Sequence, residues 1–413
     1  MKIDAVLIEQ IRGGYFYDDQ AAVRADARAD GEWISGTPLT KGFDTVRIPA
    51  AGIAIGLTLD DGSLVWGDAI SVQYPGVADR DPPLVAGEYT PLLSERLAPA
   101  LVGVETAAFR EADREAGEAL RRSSLSHKGV EYGLSQALLA AAARSSGCTM
   151  AEIVCREFDQ PLVPAAVPVF AQTGDRQHAN ADKMIMKRVD ALPHGLINNL
   201  AKFGAEGEVF LEYVAWIVER IRLLSAGSGY SPALHFDLYG IAGKVFAGDA
   251  ERICSYLARV AEAARPYEIR IETPVIASSR QEQIERLAEI RQALRRDGVP
   301  IAIVADEWCN TLDDIHEFLA ASACDMVQIK MPDLGSVSNS ILAVGECRRA
   351  GVKAYLGGSC AETELSARVA VHVAVATQAD VQLAKPGMGV DEGLMIVQNE
   401  QTRLLAELRQ RLA

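Results

Sequence analysis

From Val163 onward the chain repeats one pattern: a short apolar run, then a segment whose apolar residues recur three and four apart. The runs are Ala166–Ala171, Met184–Met186, Ala233–Leu238, Glu268–Glu272, Pro300–Ala305, Asp325–Lys330, Lys353–Leu356 and Val381–Ala384. Runs this short read as buried parallel strands, and the segments between them as amphipathic helices. Eight such units predict an α/β fold, a (β/α)8 barrel of the TIM type. A doubly wound open sheet is the competing arrangement, and it lacks the glycine-rich fingerprint expected after an early strand. Before Val163 the pattern differs. Gly52–Leu59 alternates, Asp60-Asp61-Gly62 supplies a tight turn, and Ser63–Trp66 resumes, which predicts a β-hairpin. Helical periodicity runs from about Thr90 to Arg122, and a second helix from about Val130 to Ser145 stops at Gly147. Residues 1–160 therefore read as a small α+β domain and residues 161–413 as the barrel. The last helix, Asp391–Leu412, is expected to pack back on the body.

Composition narrows the function. Of 413 residues, 49% are hydrophobic and 23% charged, which excludes wholesale disorder. A net charge of −15 repels phosphate backbones and anionic lipid, and no basic run offsets it, so neither nucleic acid nor membrane is an expected partner. The longest apolar stretch, Ala137–Ala143, is far short of a membrane span, and Met1–Gly14 does not read as a signal peptide. Seven scattered cysteines without a CxxC pair argue against disulfides and structural zinc, and fit a reducing cytoplasm.

In a barrel, chemistry sits at the C-terminal ends of the strands. The third, fourth and fifth runs end at Asp237, Glu272 and Asp306. Any one of them could be a helix cap or a solvated loop residue. Three on successive strands converge on one rim, where they could not all ionise without a cation, and hard oxygen donors in threes suit Mg2+ or Mn2+. The sixth run places Gln328 and Lys330 on one side of its strand. Burial and a nearby dication would lower the Lys330 pKa and make it a general base. A salt-bridged surface lysine, or a Schiff-base lysine for pyridoxal phosphate, are its alternatives. The first strand ends at Gln172, and His194 lies in Leu-Pro-His-Gly, a loop after the second strand, placed to act as acid or base. His127, His178, His235, His316 and His372 lack such placement, and His235 and His372 read as core. The seventh strand runs into Gly357-Gly358-Ser359-Cys360, whose glycines allow close approach to a ligand. With no base beside it, Cys360 reads as a substrate contact or packing residue.

The chain resembles the methylaspartate ammonia-lyase (3-methylaspartase) family of the enolase superfamily. The resemblance is carried by Gly42-Phe43 with Val46-Arg47, Gly67-Asp68 through Val72-Gln73-Tyr74, Val167–Gln172 and Leu192–Asn199, and continues through Val304–Asn310, Met326–Lys330 and Leu383–Gly393. It implies an N-terminal capping domain over a modified TIM barrel, a homodimer, and Mg2+ with a monovalent cation such as K+ as activator. The family's metal ligands fall on Asp237, Glu272 and Asp306, its base for the S configuration on Lys330 and its second acid/base on His194. Substrate contacts fall on Gln172, Gln328, Ser359 and Cys360, with Gln73 close by from the cap. Ser359 stands where the family usually has threonine, and Ala361 where asparagine is usual, which bears on substrate preference among 3-substituted aspartates. The Lys-x-Lys of the mandelate racemase and muconate cycloisomerase groups is absent; Lys183 and Lys187 are four apart. The implied activity is reversible loss of ammonia from (2S,3S)-3-methylaspartate to give mesaconate through a Mg-stabilised enolate, in glutamate degradation. Another enolase-type lyase or epimerase, acting on a different amino or hydroxy acid, and a non-catalytic scaffold are the alternatives.

Overall fold

The computed structural model describes residues 1–25 and 27–413. Eight parallel strands close into a barrel in chain order: Val169–Phe170, Ala191–His194, Ala233–Asp237, Ile269–Glu272, Ile301–Ala305, Met326–Ile329, Lys353–Leu356 and Val381–Leu383. Helices cover the outside, so the strands are buried on both faces and read as short, mostly apolar runs. The interior is filled by Phe170, Ala191, Val304, Met326, Tyr355, Val381 and Leu383.

One strand differs from expectation. Met184–Met186 ends a helix, Gln177–Met186, and the second strand is Ala191–His194. It is four residues long and contains Pro193, so neither alternation nor length marks it. His194 is therefore the last residue of a strand and not part of a loop.

In the N-terminal unit, Ile3–Asp18, Arg47–Leu59 and Leu64–Ala69 form a three-stranded antiparallel sheet. The hairpin turns through Gly62, whose φ of 79° suits glycine. The first, long strand has no sequence signature because most of its residues remain exposed or half-exposed. The continuous helix expected over Thr90–Arg122 is three: Ala86–Arg96, Ala98–Leu101 and Phe109–Arg122. Gly103, at φ 87°, and the extended Ala108 break it. Lys128–Ser146 lies directly on the sheet, so closely that a Cβ on Gly67 would collide with the Gly133 carbonyl. That helix carries the cap to the barrel: the Ser135 hydroxyl accepts from the Val337 N–H at 2.9 Å. The final helix, Asp391–Leu412, buries Leu394, Val397, Leu404, Leu405 and Leu408 against the body. No helix among the described residues is long and apolar enough to cross a membrane.

Candidate active site

The third and fourth strands end on Asp237 and Glu272, and Asp306 follows the fifth. All three are buried, and one carboxylate oxygen from each lies within 4.8 Å of the others. Burial, then the neighbouring carboxylates, pushes Asp237 and Glu272 well above the usual carboxylate range. Burial would raise Asp306 too, but Lys330 and Arg80 hold it below. Glu272 Oε1 has no hydrogen-bond partner. An unpartnered buried oxygen inside a trio of carboxylates fits a hard divalent cation such as Mg2+.

The backbone leaves this rim in an unusual way. Successive strands two to five exit through His194, Tyr239, Thr273 and Trp308, all with φ between 46° and 66°. The left-handed region is costly for such side chains, and strain of this kind gathers where a site must be shaped.

Lys330 follows the sixth strand, and its Nζ lies 2.8 Å from Asp306 Oδ1. Its pKa departs from the sequence expectation. Burial and Arg80 pull it down, but Asp306, Asp333 and Glu307 outweigh them, so the pKa is raised. His194 faces it from the second strand, across the barrel. The Leu196 N–H donates to His194 Nδ1 at 3.3 Å, and Nε2 sits 3.6 Å from Asp237 Oδ2. Burial lowers this imidazole to about 3, helped by Lys330 and Lys202 against Asp306.

A cavity of about 40 Å³ lies between these groups. Gln73, Gln172, His194, Asp237, Asp306, Gln328, Lys330, Ser359 and Cys360 all line it, and Glu272 adjoins it through the carboxylate trio. The Gln328 side-chain carbonyl is buried and unpartnered. Gln73 arrives from the cap: its Nε2 donates to Asp18 at 2.9 Å, and its backbone N–H donates to Ser359 Oγ at 2.9 Å. The Cys360 thiol donates to Gln73 Oε1 at 3.4 Å. Burial drives the Cys360 pKa far up, which removes the thiolate a nucleophile would need.

Several members of the site have no sequence signal. Arg80, from the cap, donates to Asp333 at 2.7 Å and to Asp306 at 3.2 Å. His235 is core, as read, but its Nε2 lies 2.7 Å from Glu272 Oε2 and its ring stacks on Phe170 at 4.3 Å. Burial, then Arg270 and His194, pull the His235 pKa well down, so the ring is neutral, and its Nε2–H tautomer can donate to an ionised Glu272. Glu307 accepts from Thr273 Oγ1 at 2.6 Å and lines the cavity; its adjacency to Asp306 is the one clue the sequence offers.

A capped (β/α)8 barrel with a buried carboxylate trio and a lysine at its mouth defines the class: a barrel protein of enolase-like fold. Family models narrow this: the N-terminal methylaspartate ammonia-lyase model matches residues 1–159 and the C-terminal one residues 161–410. The chain belongs to the methylaspartate ammonia-lyase family and is an enzyme, a carbon–nitrogen lyase. It is 45% identical over 419 residues to methylaspartate ammonia-lyase 2 of Carboxydothermus hydrogenoformans, covering 100% of this chain and 99% of that one. The Clostridium tetanomorphum methylaspartate ammonia-lyase is 42% identical, with 98% of each chain covered. Two solved structures superpose closely. The Citrobacter amalonaticus enzyme containing (2S,3S)-3-methylaspartic acid gives a TM-score of 0.96 at 44% identity, covering 99% of this chain and 100% of that one. The Clostridium tetanomorphum β-methylaspartase Mg complex gives 0.93 at 42%, with both chains covered in full. A muconate lactonizing enzyme from Pseudomonas fluorescens, 15% identical with a TM-score of 0.61 over 91% of this chain and 84% of that one, shares the fold alone.

Proposed function

We propose that this enzyme removes ammonia from (2S,3S)-3-methylaspartate to give mesaconate, reversibly. The observation that carries the reading is the buried trio Asp237, Glu272 and Asp306 with Lys330 bonded to its third member. The reaction breaks the C3–H and C2–N bonds, forms the C2=C3 double bond, and transfers the C3 proton to an enzyme base. Asp237, Glu272 and Asp306 would hold Mg2+, with Mn2+ as a substitute. A dication held there would supply the positive charge that a substrate carboxylate needs while the carbon beside it loses its proton, and would offset the Asp306 charge that keeps Lys330 protonated.

Lys330 takes the C3 proton of the (2S,3S) substrate. His194, reaching in from the other side of the cavity, serves the opposite configuration at C3. Gln172 and Gln328 offer neutral amides to carboxylate or ammonium, which avoids adding charge to an already crowded site. Gln73, Ser359 and Cys360 form the wall nearest the cap, and the cap excludes water. In this reading residues 1–160 are the capping domain and 161–413 the catalytic barrel. The family resemblance extends the proposal to K+ as a monovalent activator, a homodimer, a cytoplasmic location and a place in glutamate degradation.

The test is spectrophotometric. Addition of (2S,3S)-3-methylaspartate should raise the ultraviolet absorbance of the conjugated diacid when Mg2+ is present and not after chelation. A flat trace with Mg2+ present would reject the reading, and epimerisation of the substrate in that sample would point to an enolase-type epimerase.

A further inference from the structure

Lys385 follows the eighth strand and is almost fully buried, a costly position for an ammonium group unless it is paired. Its Nζ donates to Glu362 Oε1 and to the Gly357 carbonyl, each at 2.9 Å. Glu362 is equally buried and is shared three ways. Its Oε1 also accepts the Ser359 N–H at 3.0 Å, and its Oε2 accepts the hydroxyl of Tyr132, from the cap, at 3.0 Å. The loop Gly357–Cys360 is folded over this pair. Gly358, at φ 144°, faces it so closely that a Cβ would collide with both Glu362 Oε1 and Lys385 Nζ. The chain just past Lys385 closes the other side, where the Gly387 N–H donates to the Cys360 carbonyl at 2.8 Å.

We propose that Lys385 and Glu362 are positioning residues for substrate recognition. Their buried ion pair fixes the loop that presents Ser359 and Cys360 to the substrate, and Tyr132 registers the cap on the same carboxylate. The pair touches neither the carboxylate trio nor Lys330, so it acts on binding and not on the proton transfer. This rests on the function proposed above, with Ser359 and Cys360 as substrate contacts.

The test compares Lys385→Met, Glu362→Gln and the double variant in the full-length enzyme with Mg2+. Each single change leaves a buried group without its partner and should destabilise more than the double change, in which no charge remains. The double variant should fold, bind Mg2+ as the wild type does, keep kcat within a few-fold, and raise KM for methylaspartate by about tenfold or more, the worth of one misplaced hydrogen bond. A folded double variant with wild-type KM would overturn the proposal. So would a double variant that fails to fold, or one that loses Mg2+ affinity and kcat together, because either would make the pair structural. A wild-type enzyme inert toward methylaspartate would instead reject the function itself, and this proposal with it.

Discussion

His235→Phe isolates one interaction behind the carboxylate trio. Phenylalanine keeps a flat ring beside Phe170, where the imidazole now stacks at 4.3 Å and 13°, and removes only the donor that holds Glu272 Oε2 at 2.7 Å. Glu272 Oε1 already lacks a partner, so the variant leaves the whole carboxylate free to rotate in a buried space. A hydrogen bond to a charged group contributes about 1.5–3 kcal/mol. Loss of a partner that orients a metal ligand typically weakens the metal about 10–100-fold, or about 1.4–2.8 kcal/mol. Titration calorimetry of metal-free protein with Mg2+ should therefore show a Kd raised by about one to two orders of magnitude. Activity should return as Mg2+ is raised. Glu272→Gln, which removes the ligand itself, should bind more weakly still while keeping the wild-type circular dichroism. A His235→Phe protein that folds normally and binds Mg2+ as tightly as the wild type would refute the argument that this histidine orients a ligand.

Three further outcomes are expected. Lys330→Ala should abolish C3–H exchange of the (2S,3S) substrate in deuterated water, while His194→Ala should suppress reaction of the 3-epimer and leave much of the main activity; base removal typically costs about 10²–10⁴-fold, so NMR exchange rates separate the two easily. Cys360→Ala should raise KM and retain substantial kcat, and a covalent substrate adduct on Cys360 in a mass spectrum would contradict that. Asp113→Asn should stabilise the protein in alkaline but not acidic buffer. Burial raises the Asp113 carboxyl to about 6 despite the Ser338 hydroxyl donating to it. Below the unfolded pKa of roughly 4 both states hold the proton and nothing is lost; as pH rises through about 6 the folded state pays for a buried charge, up to about 3 kcal/mol. Denaturant midpoints at pH 8 and pH 4.5 should differ accordingly, and equal shifts at both would contradict the assignment.

What could be read from the sequence followed from periodicity. Seven of the eight apolar runs coincide with barrel strands because those strands, buried on both faces, are short and mostly apolar. Asp237, Glu272 and Asp306 stood out because each closes such a run, and the fold brings them within 4.8 Å. The second strand was illegible because Pro193 interrupts four residues that have no alternation. His235 was hidden for the opposite reason: a histidine inside an apolar strand looks like core, and only the parallel neighbour reveals that it faces Glu272. Arg80, Lys385 and Glu362 take their meaning from partners on other elements, Arg80's more than 200 residues away. No spacing along one segment encodes such pairings. The direct contact of Lys330 with Asp306, which raises its pKa, joins the fifth and sixth strand ends and has no signature along either segment.

The cavity has walls from both halves of the chain, and this limits how the gene can be recombined. Arg80 bonds across to Asp306 and Asp333, Tyr132 to Glu362, Gln73 to Ser359, and Thr363 to Asp68. A chimera that joins this cap to a homologous barrel inherits one side of each bond and gambles on the other. Cap and barrel are thus one unit of inheritance. Libraries that shuffle them should yield active members only where all five contacts cross over together, and substitutions in the cap will surface in kinetics as if they had been made in the barrel.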